Sequence, residues 1–182
     1  VAAGADGIEL APAGQSVIWL TQRGHIDVPD RFREVRASLT SIFDVLGGNL
    51  EAQSAKRSTP LPGDLLHVAT GTLIEVDEYQ HFTSFRLMTL DLYPTGYPLG
   101  FDPDRYSDLC DKWKVRADRY RAFKAAPGFG PGGRQRQRAY NDALRDLVAP
   151  LMGAGLIRVD AVEGDGEAAY QRSRDRLHAA LG

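Results

Sequence analysis

The sequence predicts an α/β fold, and three observations predict it. From Arg31 the apolar residues Phe32, Val35, Leu39, Ile42, Phe43 and Leu46 recur at helical spacing. Two short apolar runs follow, Leu65–Val68 and Leu73–Val76, joined by Ala69-Thr70-Gly71-Thr72 in the pattern of a hairpin. A second amphipathic stretch, Arg134 to Met152, leads through Gly153-Ala154-Gly155 into the buried-looking run Leu156-Ile157-Arg158-Val159-Asp160.

The remaining elements can be taken in order. Residues 1–14 are rich in Ala and Gly and predict no firm structure. Ser16 to Leu20 reads either as a short strand or as the start of a helix. Asp27-Val28-Pro29-Asp30 is a helix-start signal with Asp30 as N-cap, and Gly47-Gly48 ends that helix. Glu34, in its first turn, is either a favourable charge at the helix N-terminus or an extra acid for the cluster described below. Asn49 to Ala55 is expected as a strand and Lys56 to Pro60 as a loop. Phe82 to Leu92 mixes aromatic and aliphatic residues, and Tyr93 to Pro103 is a loop. Asp104 to Ala126 carries Leu109, Trp113, Val115, Tyr120 and Phe123 among many cations and predicts one or two helices. Pro127 to Gly133 excludes regular structure. Pro150 bends or stops the helix begun at Arg134. Glu163 to Gly166 is an acidic turn, and a charged helix, residues 167–181, closes the chain.

At 182 residues, with 43% hydrophobic and 25% charged residues, the composition suits one domain around a sizeable core. The net charge of −2 does not mark a nucleic-acid binder, and its distribution is more informative. Residues 105–145 hold eleven of the 22 Lys and Arg against four Asp, so that segment is +7 and the rest −9. A basic stripe on an acidic body suits a polyanion approaching from one side. The single cysteine, Cys110, excludes an internal disulfide and fits a reducing, cytoplasmic location. No apolar run reaches the ~18 residues of a membrane span, the N-terminus lacks a signal-peptide layout, and no membrane partner is expected.

The acidic residues sit where a structural strand would avoid them. Asp64 opens the first hairpin strand, and Glu75 and Asp77 close the second with one residue between them, so strand alternation puts both on one face. The three carboxylates are expected to converge beside Gln80 and His81. Carboxylates at one point repel each other, and a hard divalent cation, Mg²⁺ or Mn²⁺, relieves that repulsion.

With these residues in hand, the helix, three strands, helix, strand order resembles the αβββαβ core of the PD-(D/E)XK, or restriction-endonuclease-like, superfamily: a mixed central sheet flanked by helices. The detail is closest to the branch related to very-short-patch repair endonucleases. Leu73-Ile-Glu-Val-Asp-Glu-Tyr-Gln-His81 looks like that branch's second acidic motif, and Pro62-Gly-Asp64 stands where the family has its first aspartate. Arg138 to Arg145 and Gly155-Leu-Ile-Arg-Val159 are similar to its ending. The resemblance covers residues 31–82 and 134–160, leaving 83–133 as a basic helical insertion within a single nuclease-like domain.

What the resemblance implies is metal-dependent phosphodiester hydrolysis of DNA rather than RNA, in defence or repair. Asp64, Glu75 and Asp77 would hold the metal, with Gln80 placing the water. His81 would act as general acid or base, or else make one structural hydrogen bond. From the residues themselves, Arg86 could clamp phosphate, and Arg134, Arg136 and Arg138 read either as phosphate contacts, not all three on one face, or as a solvated helix start. Two departures stand out: Asp77 occupies the usual Lys position, and the insertion is long, with room for specificity or a homodimer contact. The alternative is an inactive member of the fold that binds DNA or oligomerises. His67 reads as structural, His25 and His178 have no partner pattern, and no zinc spacing exists. Gly128 to Gly133 is not a P-loop. Trp113, Tyr120 and Phe123 read as core before stacking platforms.

Overall fold

The computed structural model describes residues 2–14, 17–18 and 20–182. Four strands form one sheet: β1 (Leu10–Gly14), β2 (Gly63–His67), β3 (Thr72–Asp77) and β4 (Leu156–Asp160), in that spatial order. β1 to β3 run antiparallel as a meander, and β4 lies parallel to β3 with Glu75 opposite Arg158 and Asp77 opposite Asp160. A parallel neighbour requires a crossover. Here that crossover is everything from Glu78 to Gly155, so the basic segment lies inside a sheet connection.

Among the described residues seven α-helices accompany the sheet: α1 (Ala2–Ala5), α2 (Arg33–Val45), α3 (Leu50–Ser54), α4 (Ser84–Leu90), α5 (Pro103–Ala117), α6 (Arg134–Val148) and α7 (Gly166–Leu181). Their starts are written in the sequence. Thr83, Asp102 and Asp165 each accept backbone N–H bonds at the head of α4, α5 and α7. Pro150 falls after α6, in a short 3-10 turn, and the α6 axis ends at Val148.

The strand expected over Asn49–Ala55 is instead helix α3. The Asn49 side chain accepts from Ala52 N at 2.7 Å and caps it. The sheet's first strand comes from Leu10–Gly14, ahead of α2, so the chain order is strand, helix, strand, strand and not helix followed by three strands. β1 carries Pro12 and two alanines, a composition that an edge strand tolerates. Asp30 does not cap α2 with its side chain; a 3-10 turn, Asp30–Phe32, precedes the helix and Asp30 pairs with Arg36. The Ser16–Leu20 reading lies partly outside the described residues; Val17, Ile18 and Leu20 are neither helix nor strand, and Leu20 is core.

Both faces of the sheet are covered, which is why β3 and β4 read as near-continuous apolar runs. On one face Leu73 packs with Leu39, Ile42 and Phe43 of α2 and with Ala143, Leu144 and Leu147 of α6. On the other, Ile74, Ile157 and Val159 pack against Tyr170 and Leu177 of α7. Alternation along β3 then carries Glu75 and Asp77 to the α6 side. A third cluster, Phe82, Phe101, Tyr106 and Cys110, joins α4 to α5. Burial pushes the Cys110 thiol up to about 12, so it stays protonated. Among the described residues no helix is long and apolar enough to cross a membrane.

Candidate functional site

The β2–β3 ladder pairs Leu65–His67 with Thr72–Ile74 and goes no further. Beyond it the side chains replace the ladder. Asp64 Oδ2 accepts from Val76 N at 2.9 Å, and Glu75 Oε1 accepts from Asp64 N at 3.3 Å. Gly63 makes room for this: a Cβ there would sit 2.6 Å from Leu73 Cδ1 and 3.2 Å from Glu75 Oε1. Asp64 and Glu75 are thus both drawn to the open end of the hairpin, each bonded to the other strand's backbone, Asp64 exposed and Glu75 buried. Burial raises the Glu75 carboxyl above its ordinary value, and nearby Asp64 and Asp142 add to the rise, against the pull of Arg145 and Arg158. Arg145 Nε lies 3.3 Å from Glu75 Oε2 without the alignment of a hydrogen bond.

Asp77 does not join that pair. Both its oxygens accept from Arg158 Nη1 at 2.9 Å, and Tyr106 Oη donates to Oδ2 at 3.0 Å. The expected nest of three carboxylates is thus two separate places, because a buried guanidinium from β4 claims the third acid. One 3-10 turn, Tyr79–His81, folds His81 back over Asp77. His81 Nδ1 lies 3.2 Å from Asp77 Oδ1 and 3.0 Å from Asp142 Oδ2.

The network continues inward. Arg158 Nε donates to Asp146 Oδ1 at 2.6 Å, and Arg86 Nη2 donates to Asp146 Oδ2 at 2.7 Å. Arg86 Nη1 and the carboxylate of Asp146 both meet Tyr93 Oη. Asp77, Asp142 and Asp146 face Arg86 and Arg158, and a protonated His81 brings that buried group level in charge. Burial works against that proton, but Asp142 and Asp77 outweigh it and hold the His81 pKa above its usual value. Asp142 is buried too, yet His81 and Arg158 keep its carboxyl well below the ordinary range.

Asp142, Arg145, Asp146, Arg158, Tyr93 and Tyr106 were not singled out from the sequence as site residues. The signal for Arg158 was a lone cation in an otherwise buried strand; for Asp142, Arg145 and Asp146 it was charge at i, i+3 and i+4 within the apolar pattern of a helix.

Among the described residues, Asp77, His81 and Asp142 form the one group of three with potential metal-ligating atoms close together. They suit a metal poorly. Arg158 already occupies both oxygens of Asp77, and the His81 nitrogen that would bind is the one held between two carboxylates. Asp64 and Glu75 are a second candidate pair, although the other oxygen of Glu75 faces Arg145 at 3.3 Å. Each spends one oxygen on a backbone N–H, and the donors are the hard oxygens that Mg²⁺ or Mn²⁺ prefers.

The four expected phosphate-binding arginines divide. Arg86 is 1% exposed and tied to Asp146, so it does not clamp phosphate. Arg136 donates to the carbonyls of Leu46, Phe129 and Pro131 and fastens the glycine loop to α2. Arg134 and Arg138 lie one turn apart on the α6 stripe that continues to Asp142 and Arg145. Arg138 Nη1 donates to Gln80 O at 2.9 Å, and the Gln80 amide turns to Glu78. No protein-family model matches the chain, and no curated protein or solved structure matches it either.

Proposed function

We propose that this protein is a metal-dependent nuclease that hydrolyses phosphodiester bonds in DNA. The observation that supports the reading is that Asp64 and Glu75, at the open end of the β2–β3 hairpin, are each bonded to the other strand's backbone. Asp64 and Glu75 would hold Mg²⁺ or Mn²⁺. The bound ion supplies Lewis-acid polarisation of the phosphate and a water of lowered pKa.

The chain's own residues do the rest. Arg145, 3.3 Å from Glu75, would lend positive charge to a phosphate held beside that carboxylate. His81 spends Nδ1 on Asp142 and Asp77, leaving Nε2 as the nitrogen that can hand a proton to the leaving oxygen. Arg134 and Arg138 extend the cationic stripe of α6 along the path of the strand.

A second reading has its own observation. The guanidiniums of Arg158 and Arg145 already neutralise Asp77 and Glu75, which favours a DNA-binding protein of this fold that does not cleave. Plasmid cleavage with Mg²⁺ or Mn²⁺, with Glu75→Ala as control, separates the two. Cleavage lost in the variant supports the nuclease, and cleavage retained by it removes Glu75 from the site. No cleavage by the natural chain, together with salt-sensitive DNA binding in EDTA, gives the second reading.

A further inference from the structure

The turn between α5 and α6 is firmly held, yet it presents a large apolar side chain to water. The Gln135 side chain, 3% exposed, donates to Asp118 O at 3.1 Å and also to Tyr120 O. Arg134 N donates to Lys124 O at 3.1 Å, and Ser84 N to Asp118 Oδ1 at 3.0 Å. The backbone at Arg121 takes φ 54, a left-handed conformation that non-glycine residues adopt at a cost. Between these anchors Phe123 is 98% exposed.

The charge around that tip is one-sided. Arg121 lies 5.1 Å and Arg138 5.8 Å over the Tyr120 ring. Arg134 has a buried Nε with no hydrogen-bond partner among the described residues. Burial lowers its pKa, and repulsion from Arg138 and Arg121 lowers it further. Three guanidiniums thus crowd together; Asp142 lies within reach of the charge on Arg134, but among the described residues no carboxylate is hydrogen-bonded to Arg121, Arg134 or Arg138. Next to them, Arg116 lies 4.2 Å over the Tyr79 ring, and Tyr79 lies 6.1 Å from Tyr120.

Guanidiniums with no carboxylate hydrogen-bonded to them among the described residues favour a polyanion, and an exposed aromatic ring two residues from Arg121 favours one with π-faces to offer. We infer that this surface holds an unpaired nucleic-acid strand, with Arg121, Arg134 and Arg138 on its phosphates and Phe123 stacked on a base. The inference deepens the proposed function by naming its substrate class, and it rests on the nucleic-acid part of that reading.

The test is fluorescence anisotropy in EDTA, across a salt series, with a labelled single-stranded oligonucleotide and the matching duplex. The natural chain is expected to prefer the single strand. Phe123→Ala is expected to weaken single-strand binding about five- to a hundredfold, the range for loss of one base stack, with the salt dependence unchanged. Arg121→Gln and Arg134→Gln are expected to flatten the salt dependence by about 0.7 per lost phosphate contact. An exposed phenylalanine leaves the fold alone, so Phe123→Ala should melt with the natural chain. Equal affinity of Phe123→Ala and the natural chain for the single strand overturns the inference. So does preference for the duplex, or for anionic phosphatidylserine vesicles over either oligonucleotide. Because no metal is present, this result is independent of whether Asp64 and Glu75 support cleavage.

Discussion

Arg158 Nη1 lies 2.9 Å from both carboxylate oxygens of Asp77, and both residues are fully buried. The same guanidinium also reaches Asp146 and the carbonyl of Asp142. Removing it takes one charged partner from three buried carboxylates at once, those of Asp77, Asp142 and Asp146. Arg158→Met is therefore expected to cost about 3–5 kcal/mol of stability, the range for breaking a buried ion pair from one side, read as a lower midpoint in urea at unchanged slope. Lysine does not substitute, because a point charge cannot serve the forked geometry that Asp77 and Asp146 share.

His81 sets a pH limit on the same cluster. Burial opposes its charge, but Asp142 and Asp77 raise its folded pKa above the unfolded value. A group raised in this way contributes stability that is fully present below the unfolded imidazole pKa of about 6.5 and lost as pH climbs through the folded value. Asp142, held low by His81 and Arg158, contributes with the opposite sense: its share is lost as pH falls below the ordinary carboxylate range. Thermal melts across pH should show a maximum between those limits. His81→Gln should flatten the alkaline limb; an unchanged limb would place the titration elsewhere.

How much of this was legible follows from how far apart the partners lie. Glu75 and Asp77 were placed on one face by alternation alone, and in the structure both face α6. Helix α6 and strand β4 were legible because each carries its own apolar period and its own glycine break. The partner of Asp77 was not, since Arg158 stands 81 residues on and nothing local links them. β1 was hidden because an edge strand with Pro12 and two alanines has no apolar alternation to detect. At Asn49 a short run with mixed periodicity looked extended until the cap settled it. Phe123 was read first as core, and only the tertiary pinning of its turn by Gln135 shows why it is not.

Glu75 offers a test in which stability and activity move apart. Burial raises its folded pKa, so an ionised Glu75 subtracts stability as pH rises from the ordinary carboxyl range through the folded value. Glu75→Gln keeps the shape, removes that titration and should flatten the fall. If Asp64 and Glu75 hold the metal, the same variant should lose cleavage and lose any rise in melting temperature on adding Mg²⁺. A variant that is less stable at every pH and still responds to Mg²⁺ would point to the Arg145 contact as the role of Glu75.

The last prediction concerns the outer edge of β4. That edge would otherwise offer unpaired backbone groups to another chain. Gly100 closes it: its carbonyl accepts from Arg158 N at 3.1 Å and from Arg176 Nη1 at 3.2 Å. The approach needs a glycine, because an added Cβ would fall 1.7 Å from Leu156 O and 3.1 Å from Ile157 Cα, both backbone atoms. Gly100→Ala must push the segment off the strand that carries Arg158. The expected cost is about 1–3 kcal/mol, as for other overpacked sites, with faster hydrogen exchange at the Arg158 amide. Gly166→Ala is the control. Its added Cβ meets nothing within 4 Å at the head of α7, so stability should hold or rise by about 0.5 kcal/mol. Equal behaviour of the two variants would mean that the Gly100 contact does not restrain β4.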